Sequence, residues 1–208
     1  MSNLLDKPIF VHIPKVAGGS IQRANIPLQL IGHNIRKKNY KYFKDIKKSE
    51  EVRRTGHGTN QFSFTFVRNP WDRCVSAFRW LNSGGDSPED EKDAKIFLLG
   101  YQNDFSGFIR HYKSNNVILK QLHFKPQYQW ICDDYDNVLV DFIGRFENLQ
   151  EDFNKLCDTI EVPREKLVHH KKSKTKHKHY TEYYDDETRQ IVAEQYAKDI
   201  EYFGYKFD

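Results

Sequence analysis

The feature that most constrains this chain is a pair of strand-to-helix turns, each placing a cation directly behind an apolar run. The first run, Ile9-Phe10-Val11-His12-Ile13, is bounded by Pro8 and Pro14. A short apolar run closed by prolines reads as a buried strand. Pro14-Lys15-Val16-Ala17-Gly18-Gly19 then turns, and Ser20 opens a short helix that Pro27 stops. The second run, Phe62-Ser63-Phe64-Thr65-Phe66-Val67, alternates and is rich in aromatics, which is a strand pattern. Arg68-Asn69-Pro70 ends it, and Pro70 suits the first turn of a helix reaching about Leu81.

The same reading extends along the chain. Residues from Arg36 to Arg54 form a basic amphipathic helix, and Asn82 to Asp93 form a loop. Asp104 to Lys113 is a helix. Val138 to Ile143 is a third strand region, split near Asp141. Glu147 to Ile160 is a helix with Leu149, Phe153 and Leu156 on one face. Arg164 to His179 is a Lys/His-rich connection, and Asp186 to Phe203 is one terminal helix. Strands alternating with helices predict an α/β protein, a P-loop-like three-layer fold with a central, mainly parallel sheet flanked by helices. Ligands of such sheets bind beyond the carboxyl ends of the strands. Lys15 and Arg68, each following a strand, therefore belong on one sheet edge. A length of 208 residues fits a single domain, 1–208.

Composition narrows the partners. Hydrophobic residues make up 38% and aromatics 14%, enough for an aromatic-rich core. A net charge of +4 suits an anionic ligand without naming one. Cys74, Cys132 and Cys157 are odd in number and far apart, with no C-x-x-C pair, so neither a disulfide framework nor a zinc site is expected. No apolar stretch has the length of a signal peptide or a membrane span, and the expectation is a cytoplasmic protein or the soluble part of an anchored one. His169, His170, His177 and His179 lie in a Lys-rich stretch that repels cations, and His123 stands apart, so no metal is expected.

The turn after the first strand has the parts of an anion cradle. Small residues let the backbone curl around a tetrahedral group, and N–H groups at the helix start face inward. Lys15 adds a mobile charge, and Ser20 offers a cap and a ligand hydroxyl. A nucleoside-triphosphate loop would need its Lys late, as G-x-x-x-x-G-K-[ST]; here the Lys comes first. The plainer alternative is a tight turn with a surface lysine. At the second turn, Arg68 presents a planar fork of donors that matches a phosphate, and Ser76 lies about two turns into the next helix.

His12-Ile13-Pro14-Lys15-Val16-Ala17-Gly18-Gly19-Ser20 resembles the 5'-phosphosulfate loop of carbohydrate sulfotransferases, usually HIPKTAGTS, with Val16 and Gly19 in place of the two threonines. The segment from Val67 to Ala77 resembles their VRNPWDR-x-x-SA motif for the 3'-phosphate of 3'-phosphoadenosine-5'-phosphosulfate (PAPS). Gly56-His57-Gly58-Thr59, Pro126-Gln127, the stretch from Val140 to Leu149 and the tail from Tyr183 to Tyr205 are similar to further family segments. The resemblance implies a metal-independent transfer of a sulfuryl group from PAPS to a hydroxyl on a carbohydrate, leaving adenosine 3',5'-bisphosphate. Lys15, Val16, Ala17, Gly18, Gly19 and Ser20 would hold the phosphosulfate, Arg68 and Ser76 the 3'-phosphate, and Ser173, Lys174 and Thr175 a late loop over the nucleotide. Lys15 would stabilise the leaving group and His57 would act as general base. Two other readings remain at this point: a P-loop-related small-molecule kinase, and a nucleic-acid-binding module built on the basic stretch from Arg36 to Lys48.

Overall fold

The computed structural model describes residues 7–32, 61–114, 119, 121–168 and 178–208. The expected basic helix from Arg36 to Arg54, together with His57, Ser173, Lys174 and Thr175, lies outside the described residues. The described chain falls into two compact units. Residues up to Arg68 and from Gln127 to 168 make the first, and residues from Asn69 to Pro126 and from 178 onward make the second.

The first unit is built on a parallel sheet of four strands in the order β2-β1-β3-β4. They are β1 (Ile9–His12), β2 (Gln29–Gly32), β3 (Ser63–Val67) and β4 (Phe142–Arg145). Every residue of β1 and β3 is buried, Ser63 and Thr65 included, so the alternation read in β3 does not mark a solvent-facing side. Phe10 stacks on Phe64 with ring centroids 5.0 Å apart. The Thr65 hydroxyl, a polar group at a fully buried position, donates to the Val11 carbonyl at 2.7 Å.

The third strand region does split at Asp141. Val138 bridges back to Cys132, and β4 begins only at Phe142. Asp141 is occupied in between, because its Oδ2 accepts from both the amide and the hydroxyl of Ser63, each at 2.7 Å. Three helices belong to this unit: α1 (Gly18–Ile21) after β1, a short one over Tyr128–Ile131, and the longer Leu149–Thr159 helix after β4. Strand β2 was not expected. Its four residues between Pro27 and the start of the undescribed segment are too few to show a period.

The second unit is helical. It holds α2 (Pro70–Asn82), α3 (Pro88–Phe97), α4 (Phe105–Ser114), α7 (Asp186–Gln195) and α8 (Ala197–Phe203); α5 (Tyr128–Ile131) and α6 (Leu149–Thr159) belong to the first unit. Its core is aromatic. Phe78 packs against Phe105 at 5.3 Å and Phe108 at 5.1 Å, and Phe108 against Phe124 at 5.4 Å.

Three expectations are corrected here. The stretch from Asn82 to Asp93 is a loop only to Ser87. That serine then caps α3, its hydroxyl accepting from the Asp90 amide at 3.2 Å, with Pro88 opening the helix. The terminal helix is two helices, broken at Tyr196, whose hydroxyl donates to the Phe124 carbonyl at 2.6 Å. Arg73, whose charge by itself predicts a place on the surface or in an ion pair, is 1% exposed and donates to the carbonyls of His123 and Lys125.

The three cysteines are buried and not joined in disulfides. Among the described residues no helix is long and apolar enough to cross a membrane, and no group of three His, Cys, Asp or Glu is gathered to hold a metal ion.

Candidate active site

The first turn begins where β1 leaves the core. Ile13 and Val16 are fully buried and anchor it at two points. Between and after them the backbone is forced into an unusual path: Lys15 has φ 71° and Ala17 φ 67°. A left-handed residue with a Cβ costs about 1–2 kcal/mol, so two in three residues store strain at one spot. Ala17 is left-handed and Gly18 is already helical. That succession turns consecutive peptide N–H groups to one side, the geometry of an anion-binding nest.

Helix α1 starts at Gly18 with Ala17 as its cap residue, so Ser20 is neither the first helical residue nor the cap. The Ser20 amide donates to the Ala17 carbonyl at 2.9 Å. Its place inside the first helical turn is what removes it from capping.

Gly18 has a specific reason to be glycine. A Cβ there would lie 1.8 Å from Nε2 of His12. The His12 ring stacks on Phe10 at 5.4 Å, and its Nδ1 lies 3.0 Å from the Gln22 amide nitrogen. His12, 6% exposed, is thus a wedge that sets the height of the turn above the sheet.

The second cation follows β3. Arg68 is 8% exposed. Its amide donates to Oε1 of Gln127, and its carbonyl accepts from Nε2 of the same side chain, both at 2.9 Å. Gln127, fully buried, therefore pairs with the Arg68 backbone as a neighbouring strand would. The guanidinium carbon sits 3.9 Å from the centroid of the Phe146 ring, a cation–π contact. Nη1 donates to the Lys15 carbonyl at 3.1 Å. Two segments 53 residues apart in sequence thus meet beyond the carboxyl ends of β1 and β3, the edge at which the sequence places both cations.

Elsewhere in the second motif, Asn69 and Trp71 have structural work. Ser76 is half-buried on α2. Asn69 caps α2, accepting from the Trp71 amide at 3.1 Å, and donates to the Lys206 carbonyl at 2.8 Å. Trp71 donates through its indole N–H to the Arg189 carbonyl at 3.0 Å and meets Phe207 edge-on at 5.5 Å. These contacts tie the motif to the C-terminal tail, which makes the tail structural. Burial pushes the Cys74 thiol up to about 12, away from the reactive thiolate form.

Of the residues singled out from sequence, Lys15, Val16, Ala17, Gly18, Gly19 and Ser20 form one turn, and Arg68 reaches it. Val16 is fully buried, so its side chain belongs to the core. Three contributors were not given roles from sequence: His12, Gln127 and Phe146. Each stands in a segment that carries the resemblance, and each acts on a partner that only the fold brings near.

A family model described as the sulfotransferase family matches residues 6–206. The chain is 32% identical over 102 residues to an uncharacterized protein of Archaeoglobus fulgidus, covering 49% of this chain and 69% of that one. It is 27% identical over 215 residues to human carbohydrate sulfotransferase 9, covering 93% of this chain and 46% of the relative. It is 24% identical to mouse carbohydrate sulfotransferase 14, covering 74% of this chain and 44% of that one. The chain thus spans about half the length of the two carbohydrate sulfotransferases. No solved structure matches it with significance. With both turns, the sheet and the tail inside one family match, the chain belongs to the sulfotransferase family.

Proposed function

We propose that this domain transfers a sulfuryl group from PAPS to a hydroxyl of a glycan or glycoconjugate. The observation that carries the proposal is the hydrogen bond from Arg68 to the Lys15 carbonyl, which joins the two anion-binding segments at one sheet edge. A donor with a phosphosulfate at one end and a phosphate at the other calls for two such segments. The local chemistry fits it: a strained turn of small residues at one segment and a buried forked cation at the other. The carbohydrate acceptor is supported by the two carbohydrate sulfotransferases that the chain resembles.

Bound PAPS supplies a sulfuryl group on a phosphate leaving group. In the reaction the acceptor oxygen forms a bond to sulfur as the bond from sulfur to the bridging phosphate oxygen breaks. The chain's part is to position and to neutralise charge, since little covalent chemistry falls to the protein. Lys15 holds its ammonium group on the oxygen that gains charge. The turn from Val16 to Ser20 orients the phosphosulfate through its peptide groups. Arg68 and Ser76 hold the 3'-phosphate, with Ser173, Lys174 and Thr175 closing over the nucleotide. His57 accepts the acceptor's hydroxyl proton. No step calls for a metal.

The test is a screen of hydroxylated glycans with radiolabelled PAPS. Label moving to a glycan, with stoichiometric release of adenosine 3',5'-bisphosphate, is the expected result. Bisphosphate release without label on any hydroxyl acceptor would point to hydrolysis and overturn the transferase reading.

A further inference from the structure

Arg68 does more in this structure than a phosphate ligand needs to do. Its backbone is clamped by Gln127, its guanidinium lies over the Phe146 ring, and one of its N–H groups is given to the carbonyl of Lys15. That carbonyl belongs to one of the two left-handed residues of the turn. A peptide held in such a conformation relaxes unless something opposes it. A charged donor on the carbonyl opposes rotation of that peptide.

We propose that Arg68 braces the strained Lys15 turn, so that the two anion sites are coupled, and that Phe146 and Gln127 are the positioning residues that aim the brace. A guanidinium carries five N–H donors in a rigid fork, so one group can serve a carbonyl and a phosphate together. A 3'-phosphate that fixes the guanidinium thereby fixes the Lys15 peptide, and the turn is ready for the phosphosulfate before it arrives. Coupling of this kind is reciprocal: a filled turn favours the 3'-phosphate by the same factor. The inference rests on the donor reading above, but the brace itself does not depend on which ligand binds.

This separates two tests. Amide hydrogen exchange of the ligand-free protein reads the brace alone. In Arg68→Ala, amides of the segment from Lys15 to Gln22 should exchange about tenfold faster or more, the scale of a coupling worth 1–3 kcal/mol. Helix α6 should keep its protection. Phe146→Leu keeps apolar bulk at a half-buried position but removes the ring face, so it should give a smaller acceleration at the same amides. Arg68→Lys keeps the charge without the fork and should fail to restore slow exchange.

Exchange in that segment unchanged within about twofold in both Arg68→Ala and Phe146→Leu would overturn the brace. General loss of protection in Arg68→Ala would shift the decision to Phe146→Leu, where no local acceleration would overturn it equally. Titration of the parent with adenosine 3',5'-bisphosphate reads the donor site. Slower exchange of the Lys15 turn on binding supports coupling. Binding with no change at that turn overturns the coupling and leaves the donor reading intact. No binding overturns the donor reading, and the coupling with it.

Discussion

Lys15 and Arg68 are both cations behind a strand, yet the structure separates what each can do. Arg68 is buried, clamped and stacked; Lys15 is half-buried on a turn whose backbone is strained. Lys15→Ala should therefore lower turnover more than it weakens adenosine 3',5'-bisphosphate, because its charge matters most as the bridge breaks. Unchanged turnover at saturating donor would remove Lys15 from the leaving group. His57→Ala should cut turnover by roughly two to four orders of magnitude with nucleotide affinity kept. In the parent, activity should fall on the acid side of the imidazole's titration, since only the neutral ring accepts a proton. Turnover within a few-fold of the parent would exclude His57 as the base.

Gly18 offers a steric test of the turn itself. Gly18→Ala collides with the His12 ring and should lower stability by about 1–3 kcal/mol. Adding His12→Ala should recover part of the loss, and no recovery in a melting experiment would mean the clash is not the cause. At this scale the sequence shows the two cations and hides their supports. Lys15 and Arg68 are legible because a cation behind a strand has a chemical meaning of its own. Gln127 is not, because its partner is a backbone 59 residues away. Phe146 reads as one more apolar residue until the guanidinium is seen above it.

Among the elements, β1, β3 and α2 are readable because prolines mark their ends and their buried faces are continuous. Strand β2 is too short to carry a period. Helix α3 buries no residue, so it has no apolar stripe; its only signature is the capping pattern from Ser87 to Glu91. The break at Tyr196 is set by a carbonyl 72 residues away, which no local pattern records.

The start of α7 carries its own prediction. Asp185 caps the helix, accepting from the Thr188 amide at 2.8 Å while the Thr188 hydroxyl accepts from the Asp185 amide. The Thr188 N–H bond holds the Asp185 carboxyl below its usual range, with the Thr188 hydroxyl and Arg110 adding to it. A carboxyl depressed in the folded state contributes stability above its unfolded pKa and loses it as pH falls through the folded one. Asp185→Ala should cost about 1 kcal/mol near neutral pH. The difference from the parent should shrink in acid below the ordinary aspartate range. Equal differences at neutral and acid pH, measured by urea unfolding, would assign the cap's worth to something other than its charge.

For the whole molecule, the α/β class and the parallel sheet were legible because strand and helix patterns alternate along the chain. The family match runs from residue 6 to residue 206 through both compact units. A ligand that engages only the native protein raises its melting temperature by mass action. The most direct measurement of the central claim is therefore the shift given by adenosine 3',5'-bisphosphate against that given by AMP, which lacks only the 3'-phosphate. The account predicts a large shift with the bisphosphate and a much smaller one with AMP, the difference collapsing in Arg68→Ala. Equal shifts from the two nucleotides in the parent protein would contradict it.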